Sequence, residues 1–336
     1  MNPQSVSTAR AANAVVPKVF GCRDLVSTRD LGPSGVRAVF HLARIMKSRP
    51  TEFSRALAGK RAVMFFEKPS LRTRLTFECG IASLGATCSF VDQTQSRLDA
   101  RETLSDIAHN LERWFDVIVL RTFRQATIEA IAEHSSVPVI NALSDLEHPC
   151  QALADYFTLE ERFGDLKRIT LAFVGDGNNV AHSLLLTAAC LGSAIHLAHP
   201  AGFGPDPEIL ADAREIADET GATLELFADP VTAVRGVDAV YTDAWASMGQ
   251  EQEAQARTKI FSPYQVNPKL MERAAPHAVF MHCLPAHRGA EVADEVMDAV
   301  SSLIFEQAEN RLHVQKAVLH LLLASGTRLP VRSAHA

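Results

Sequence analysis

The segment KPSLRTRLTFE, residues 68–78, carries the side chains that point most directly to chemistry. Ser70 is a predicted helix N-cap, so the free backbone N–H groups and the positive end of the helix dipole face whatever lies before it. Arg72 and Arg74 add planar guanidinium groups that suit phosphate oxygens, and Thr73 adds a hydroxyl donor. The pattern predicts an anion site, although an ordinary capped helix with solvated arginines would have the same sequence.

Two further segments place polar side chains where an apolar run of residues ends. Arg121 ends the run DVIVLRT, where it is either a snorkelling arginine or a second arm reaching the same anion. In LSDLEHPCQALADYF the proline suits the first helical position, so His148 is expected at the cap and Gln151 in the first turn. A His–Pro pair alone is commonly structural, but the three segments together favour one shared anion site.

The segment FVGDGNNVAHSLLLTAACLG, residues 173–192, partly matches a dinucleotide-binding turn. The third glycine of that motif is missing, and His199 follows the next strand where a ribose-binding carboxylate is expected. The sequence therefore argues against an NAD-dependent dehydrogenase. Asn178 and Asn179 instead offer amide groups at a helix start, suited to an amino-acid head group, or else they form a plain turn.

The segment YTDAWASMGQE places Asp243 directly after a predicted strand, with Ser247 and Met248 in the loop that follows. A carboxylate at this position can pair with an α-ammonium group, while the hydroxyl and the loop N–H groups bind the other end of a zwitterion. The alternative is an ordinary acidic surface loop.

Cys283 follows the apolar run AVFMH and precedes Leu284 and a proline that turns the chain away from its strand. Cysteines in such places are most often buried and structural. A cysteine at a strand end beside a turn can also face a ligand, and both interpretations stay open at this point.

These side chains need a scaffold that brings distant segments together. Short apolar, β-branched runs alternate with segments of helical period, which predicts a parallel α/β fold. The runs are RAVMFF, DVIVLRT, VPVIN, ITLAFVG, AIHLAHP, TLELF, DAVYTD and AVFMHC. We expect two doubly wound parallel-sheet domains joined by interdomain helices. Ligands bind such sheets beyond the carboxyl ends of the strands, which is where each of these polar groups falls.

Helical period and breaker residues predict three helices that matter for the site. They cover residues 74–85, residues 149–163 and the segment AENRLHVQKAVLHLLL, with Arg311 near the start of the last. The boundary between the two sheets is expected at ERFGDLKR, residues 161–168, where a helix ends at Gly164.

Composition excludes several classes of protein. Among the 336 residues, 47% are apolar and 21% charged, with no apolar run near the ~20 residues of a membrane span, so no membrane partner is expected. The net charge of −6 argues against a nucleic-acid partner. The six cysteines show no C-x-x-C pairing, which favours a reduced intracellular protein, and the histidines show no H-x-x-x-H pair, so no metal is expected.

Six segments, taken in order and spacing, strongly resemble the transcarbamoylases and, within them, the ornithine carbamoyltransferases. They are FFEKPSLRTRLTFE, LRTF, HPCQ, FVGDGNNVAHS, DAWASMGQE and MHCLPAHRG, and the resemblance runs from about residue 18 to 325. It implies that carbamoyl phosphate is bound by Ser70, Leu71, Arg72, Thr73, Arg121, His148, Gln151, Cys283, Leu284 and Arg311. It implies that ornithine is bound by Asn179, Asp243, Ser247 and Met248, and that Cys283, Asp243, Arg72 and His148 are catalytic.

The resemblance also implies the reaction and the organisation of the chain. The δ-amine of L-ornithine would attack carbamoyl phosphate to give L-citrulline and phosphate, in arginine biosynthesis, with no cofactor. Residues 18–153 would bind carbamoyl phosphate, residues 154–310 ornithine, and helix 311–325 would pack back on the first domain. A cytoplasmic homotrimer, or a multiple of trimers, is expected, and the Leu284–Pro285 bond is expected to be cis.

Two positions depart from the family pattern. Arg97 replaces a usual glutamine in a loop that reaches the neighbouring subunit's site in relatives, and Leu71 replaces a common threonine. The second change is tolerable if residue 71 contributes its backbone N–H. The first is open to two interpretations, either that Arg97 takes over the phosphate contact or that the acceptor is modified. Transcarbamoylation of N-acetylornithine, N-succinylornithine or putrescine stays as an alternative function, together with a non-catalytic binding subunit.

Overall fold

Nine parallel strands form two sheets in the computed structural model, which describes residues 21–93, 98–245 and 254–324. The first sheet contains β1 Arg61–Phe66, β2 Thr87–Asp92, β3 Val117–Arg121 and β4 Val139–Leu143, in the order β2-β1-β3-β4. The second contains β5 Thr170–Val174, β6 Ala194–Ala198, β7 Thr223–Phe227, β8 Ala239–Thr242 and β9 Val279–His282, in the order β7-β6-β5-β8-β9. The predicted α/β class with two parallel sheets is confirmed.

Each of the eight predicted runs contains a strand, but β2 was missed. Its sequence, TCSFVD, alternates between exposed and half-buried residues because it lies at the edge of its sheet and pairs with β1 alone. The other three strands of that sheet are almost wholly buried and therefore read as continuous apolar runs.

Helices cover both sheets. They are α1 Gly32–Ser48, α2 Leu71–Ser83, α3 Leu104–Trp114, α4 Gln125–His134, α5 Pro149–Phe163, α6 Asn179–Leu191, α7 Pro207–Thr220, α8 Pro230–Ala233, α9 Ala254–Phe261, α10 Pro268–Met271, α11 Asp294–Met297 and α12 Ile304–Ala324. Within the described ranges, none of them combines the length and apolar character needed to cross a membrane.

Helix α2 begins three residues earlier than the predicted 74–85, at Leu71. The reason is its cap, since the Ser70 hydroxyl accepts a hydrogen bond from the Thr73 backbone N–H at 3.2 Å. Phe77 and Ile81 form its buried face, as their spacing predicted. The cap places the free N–H groups of the first turn at the carboxyl end of β1.

Helices α5 and α12 tie the two sheets together. Helix α5 has the predicted bounds and is buried from Pro149 to Leu159, packed between α6, α12 and β4. Helix α12 packs against α1, α2 and α5 as well as β9. It begins at Ile304, so the predicted segment 311–325 belongs to a longer helix, and Arg311 lies about two turns inside it.

A close backbone approach shapes the turn after β5. A Cβ atom on Gly177 would lie 2.3 Å from the Pro205 backbone nitrogen, so no side chain fits there. Asn178 follows as the N-cap of α6, with its side chain accepting from the N–H groups of Val180 and Ala181. This packing sets the position of the two asparagines that begin α6.

We expect Val318→Ala to lower the free energy of unfolding by about 2 kcal/mol, because Val318 is fully buried where α12 meets the core. The matched control is Val300→Ala, since Val300 is fully exposed and should tolerate the same truncation. Thermal unfolding of both variants measures the difference. Equal melting temperatures would contradict the packing of α12.

Candidate active site

A cavity of about 640 Å³ opens between the carboxyl ends of the two sheets, a size typical of small-ligand sites. Every residue in the described ranges that the family resemblance assigns to the site lines it, namely Ser70, Leu71, Arg72, Thr73, Arg121, His148, Gln151, Asn179, Asp243, Cys283, Leu284 and Arg311. Arg74 and Asn178, which the sequence patterns also offered, are not among the lining residues, because Arg74 pairs with Glu78 and Asn178 caps α6. Ser247, Met248 and Arg97 lie outside the described residues. The individual roles of these residues stay predictions.

The fold brings these residues together because nearly all follow a strand. Arg121 is the last residue of β3, and the pairing of β3 with β4 shifts register between Leu120 and Arg121. Such a bulge changes the direction of the side chains beside it. His148 caps α5 after β4, while Asp243 and Cys283 directly follow β8 and β9. Arg311 is the exception, because it arrives from the middle of α12.

The first lobe presents a cluster of positively charged side chains. Arg121 and Arg311 are buried and Arg72 is half-buried, and none of the three forms an ion pair with a described acidic residue. The Nε atoms of Arg121 and Arg311 also lack a hydrogen-bond partner among the described residues. Burial, followed by repulsion from Arg311, lowers the pKa of Arg121 to about 9. An anion in the cavity would relieve this repulsion.

Arg311 is held in a defined orientation. Its Nη1 donates to Gln151 Oε1 at 2.9 Å, and its Nη2 donates to Thr73 Oγ1 at 2.7 Å. Because the Thr73 hydroxyl accepts this bond, its own proton can be donated to a ligand. Arg311 therefore arranges two neighbours that line the cavity as well as contributing its own charge.

His148 is neutral at pH 7. Burial lowers its pKa well below the usual value, and the nearby charges of Arg311 and Arg121 add to the effect. Its backbone N–H donates to Ser183 Oγ at 2.9 Å, while its Nδ1 has no partner among the described residues. A neutral imidazole can donate one hydrogen bond to a ligand oxygen without bringing a further positive charge.

The second lobe presents a carboxylate. Asp243 Oδ1 accepts a hydrogen bond from the Cys283 thiol at 2.9 Å, and its Oδ2 accepts one from Asn178 Nδ2 at 2.8 Å. The orientation of the Asn178 amide is set by its capping role, because its oxygen faces the N–H groups that begin α6. Asn179 donates to the Ser144 carbonyl at 2.6 Å and lines the cavity.

Cys283 is a protonated thiol at neutral pH. Burial raises its pKa well above the usual value, and the negative charge of Asp243 raises it further. The thiol is therefore a hydrogen-bond donor to Asp243 and a poor nucleophile in this state. This geometry supports a role beside the acceptor group and gives no support to covalent catalysis by Cys283.

Sequence reasoning missed Lys68, which lines the cavity just before the cap of α2. Its ammonium group lies 4.9 Å from the centre of the Phe123 ring. Burial, with a contribution from Arg121, lowers its pKa. The sequence could have indicated Lys68 as a site residue, because it lies in the same segment as Arg72 and Arg74.

Asp243, His282 and Cys283 place potential metal-ligand atoms within 4.8 Å of one another, a grouping that spacing rules did not predict. Most of these atoms already have partners in the protein, although His282 Nε2 forms no hydrogen bond with a described residue. His282 Nδ1 accepts from the Leu284 N–H at 2.8 Å, its Nε2 lies 3.3 Å from Glu291 Oε1, and Cys283 donates to Asp243. A metal ion would have to displace these contacts. The absence of a metal from the mechanism stays a prediction.

The chain between the two lobes turns at Leu284, which has a φ of 59° and precedes a cis peptide bond to Pro285, as the family resemblance implied. The hydrogen bond from the Leu284 N–H to His282 stabilises this turn. Cys283 and Leu284, which belong to the turn, both line the cavity.

Fold and site define a two-lobed α/β protein whose cavity combines an anion pocket with a carboxylate–thiol pair. Two family models match this chain. The carbamoyl-P binding domain of aspartate/ornithine carbamoyltransferase matches residues 23–161, and the Asp/Orn binding domain matches residues 167–322. The chain belongs to the aspartate/ornithine carbamoyltransferase family.

Named relatives agree with this assignment. Ornithine carbamoyltransferase from Shewanella oneidensis is 48% identical over 302 residues, which cover 90% of this chain and 100% of the relative. The anabolic ornithine carbamoyltransferase of Pyrococcus furiosus is 46% identical over 303 residues, covering 90% and 96%. A solved structure of ornithine carbamoyltransferase from Pyrococcus furiosus has a TM-score of 0.88 at 45% identity, covering 91% of this chain and 99% of that chain.

We expect Asp243→Asn to speed the alkylation of Cys283 severalfold at pH 8. Removing the negative charge of Asp243 lowers the pKa of the thiol, so more thiolate is present at that pH. Peptide mass spectrometry after iodoacetamide treatment measures the rate across pH, with buried Cys150 as the internal reference. An unchanged pH midpoint would argue against the Asp243–Cys283 contact.

We expect inorganic phosphate to raise the melting temperature, because an anion that binds only the folded state stabilises it by about 2.7 kcal/mol at a concentration 100 times its Kd. Arg72→Ala should lose most of this rise. Arg74→Ala is the matched control, since the Arg74 guanidinium bonds Glu78 at 2.9 Å and lies 3.9 Å from the Phe90 ring centre. An equal loss in both variants, at constant ionic strength, would contradict a local anion site.

Proposed function

We propose that this chain transfers the carbamoyl group of carbamoyl phosphate to the δ-amine of L-ornithine, giving L-citrulline and phosphate. The observation that carries the proposal is the cavity itself, which sets arginines that form no ion pair with a described acidic residue opposite the Asp243–Cys283 pair. Family membership and relatives named ornithine carbamoyltransferase support it.

The first lobe supplies the site for carbamoyl phosphate. The N–H groups at the start of α2, with Ser70, Leu71 and Thr73, bind the phosphate together with the Arg72 guanidinium. Leu71 is 70% exposed, which fits a contribution through its backbone. A second set of residues receives the carbamoyl end and its developing negative charge, namely Arg121, His148, Gln151, Cys283, Leu284 and Arg311. Fixed donors of this kind are commonly the largest contribution to catalysis.

The second lobe supplies the site for ornithine, through Asn179, Asp243, Ser247 and Met248. The attacking δ-amine must first lose a proton, and an alkyl ammonium with a pKa of about 10.4 makes this cost about 4 to 5 kcal/mol at pH 7. The carboxylate of Asp243, hydrogen-bonded to Cys283, is the group placed to ease that loss. Arg72, His148, Asp243 and Cys283 are therefore the proposed catalytic residues.

The reaction needs no cofactor, since attack by an amine on an activated carbonyl requires only proximity, charge stabilisation and proton transfer. The proposal includes the division of the chain into a carbamoyl phosphate part, residues 18–153, an ornithine part, residues 154–310, and a returning helical part, residues 311–325. It also includes a cytoplasmic homotrimer or multiple of trimers. The relative named as anabolic supports a role in arginine biosynthesis.

We expect the purified protein to form citrulline from carbamoyl phosphate and free ornithine, measured colorimetrically. Arg72→Ala should lower kcat by several orders of magnitude with the fold intact, because the departing phosphate loses its main cation, whereas Arg74→Ala should stay within a few-fold of wild type. Near-normal turnover of Arg72→Ala would remove the proposed anion clamp.

The same assay separates the alternatives. Faster product formation with N-acetylornithine, N-succinylornithine or putrescine than with free ornithine would replace ornithine as the acceptor. A calorimetric binding signal with carbamoyl phosphate but no phosphate release with any acceptor would indicate a binding subunit.

A further inference from the structure

Asp155 is a fully buried carboxylate beside the cavity that has no place in the reaction described above. It lies on α5, one turn beyond Gln151. Its Oδ1 accepts hydrogen bonds from Gln151 Nε2 at 2.7 Å and from Gln307 Nε2 at 2.8 Å, and its Oδ2 accepts one from the Tyr241 hydroxyl at 3.0 Å. The three donors come from α5, α12 and β8.

The first of these contacts leads to the anion side of the cavity. Because the Gln151 nitrogen donates to Asp155, its oxygen must face the other way, where it accepts from Arg311 at 2.9 Å. Arg311 in turn donates to Thr73 at 2.7 Å. Asp155 thereby sets the orientation of an amide that would otherwise be free to turn over and present its N–H2 group to a guanidinium.

The second contact leads to the acceptor side. Tyr241 is fully buried in β8, which pairs with β9, the strand that ends directly before Cys283, and each of the two groups affects the pKa of the other. Cys283 donates to Asp243 at 2.9 Å. The Tyr241 hydroxyl has a single proton, and its hydrogen bond to Asp155 directs that proton toward the carboxylate. The proton is therefore not available to the Cys283 thiol.

The third contact leads to the backbone between the lobes. Gln307 donates to Asp155 through its nitrogen and accepts from the His282 backbone N–H through its oxygen, at 2.9 Å. His282 directly precedes Cys283. A buried carboxylate is costly to desolvate, and its three donors offset part of that cost here. Burial raises the pKa of Asp155 to about 6, against the effect of those donors and of Arg311, so the group is ionised at neutral pH.

We propose that Asp155 is a positioning residue that aligns the two halves of the site, by fixing the Gln151 amide toward Arg311 and the Tyr241 hydroxyl beside Cys283. This inference rests on the proposed function for its main readout, which is turnover. It assigns no contact between Asp155 and either substrate.

The substitution Asp155→Asn tests the inference because it keeps the shape and removes one acceptor. With its oxygen toward the two glutamines, the new amide directs N–H2 at Tyr241, whose hydroxyl must turn its proton elsewhere. In the reversed orientation, the N–H2 group of the new amide faces the N–H2 groups of Gln151 and Gln307, so three donors lie together without an acceptor. Either orientation breaks the present alignment without leaving a cavity.

We expect Asp155→Asn to lower kcat at least tenfold while both KM values stay within about threefold, because alignment affects the reacting groups more than substrate binding. Tyr241→Phe should also lower kcat. If Asp155 acts through Tyr241, the double variant loses much less than the product of the two single losses. The control is Thr158→Val, one turn further along α5, where the Thr158 hydroxyl forms hydrogen bonds with the Ala154 carbonyl and Asn310 and with no site residue in the described ranges. It should change stability and leave kcat unchanged.

The rate of Cys283 alkylation gives a second measurement, which does not depend on turnover. The negative charge of Asp155 contributes to the raised pKa of Cys283, so Asp155→Asn should speed alkylation of Cys283 at pH 8 severalfold, and Thr158→Val should not. Unchanged alkylation, a kcat within twofold of wild type, or fully multiplicative losses in the double variant would each overturn the inference. A wild-type protein that forms no citrulline would instead remove the proposed function, and the alkylation result would still decide the role of Asp155.

Discussion

Positive charge buried without a partner is the feature on which the rest of this structure depends. Arg121 ends a wholly buried strand, Arg311 comes from the middle of a buried helix, and Arg72 lies in the first turn of α2. Proteins rarely keep such groups without an ion pair, because each loses hydration that hydrogen bonds within the protein replace only in part. Here the Nε atoms of Arg121 and Arg311 and the Nδ1 atom of His148 have no hydrogen-bond partner among the described residues, and all three residues line one cavity. Such a cluster suits the reversible binding of an anion, which would relieve the repulsion between the arginines.

This requirement explains why the last helix returns across both lobes. A parallel sheet can supply side chains only at the ends of its strands, and those ends already carry Arg121 and the cap of α2. Helix α12 adds the Arg311 guanidinium. Through Gln307 it also accepts a hydrogen bond from the His282 backbone N–H, directly before Cys283. Helix α5 adds His148 at its start and Asp155 one turn beyond Gln151. The two helices that build the interface are therefore also the two that complete the site.

Much of this arrangement could be predicted from the sequence, and the failures have physical causes. Buried central strands appear as apolar runs, but the edge strand β2 does not, because only part of it is buried. Polar residues at strand ends, such as Arg121 and Asp243, stand out against apolar neighbours. Asp155 and Tyr241 do not, because a lone acid in a helix and a tyrosine in a strand are ordinary until folding places them 3.0 Å apart. Long-range polar contacts between buried residues leave no local pattern.

The cavity also separates charge in a way that suits two unlike ligands. One wall carries arginines and an imidazole that burial keeps neutral, and the other carries a carboxylate held by a thiol and an amide. If Cys283 were a thiolate, it would place a second negative charge beside Asp243 and would attract the arginines meant for the anion. If His148 were charged, it would repel the same arginines. Burial of these two titratable groups thus keeps each wall at one sign of charge, which is the condition for holding an anion and an amine side by side without either displacing the other.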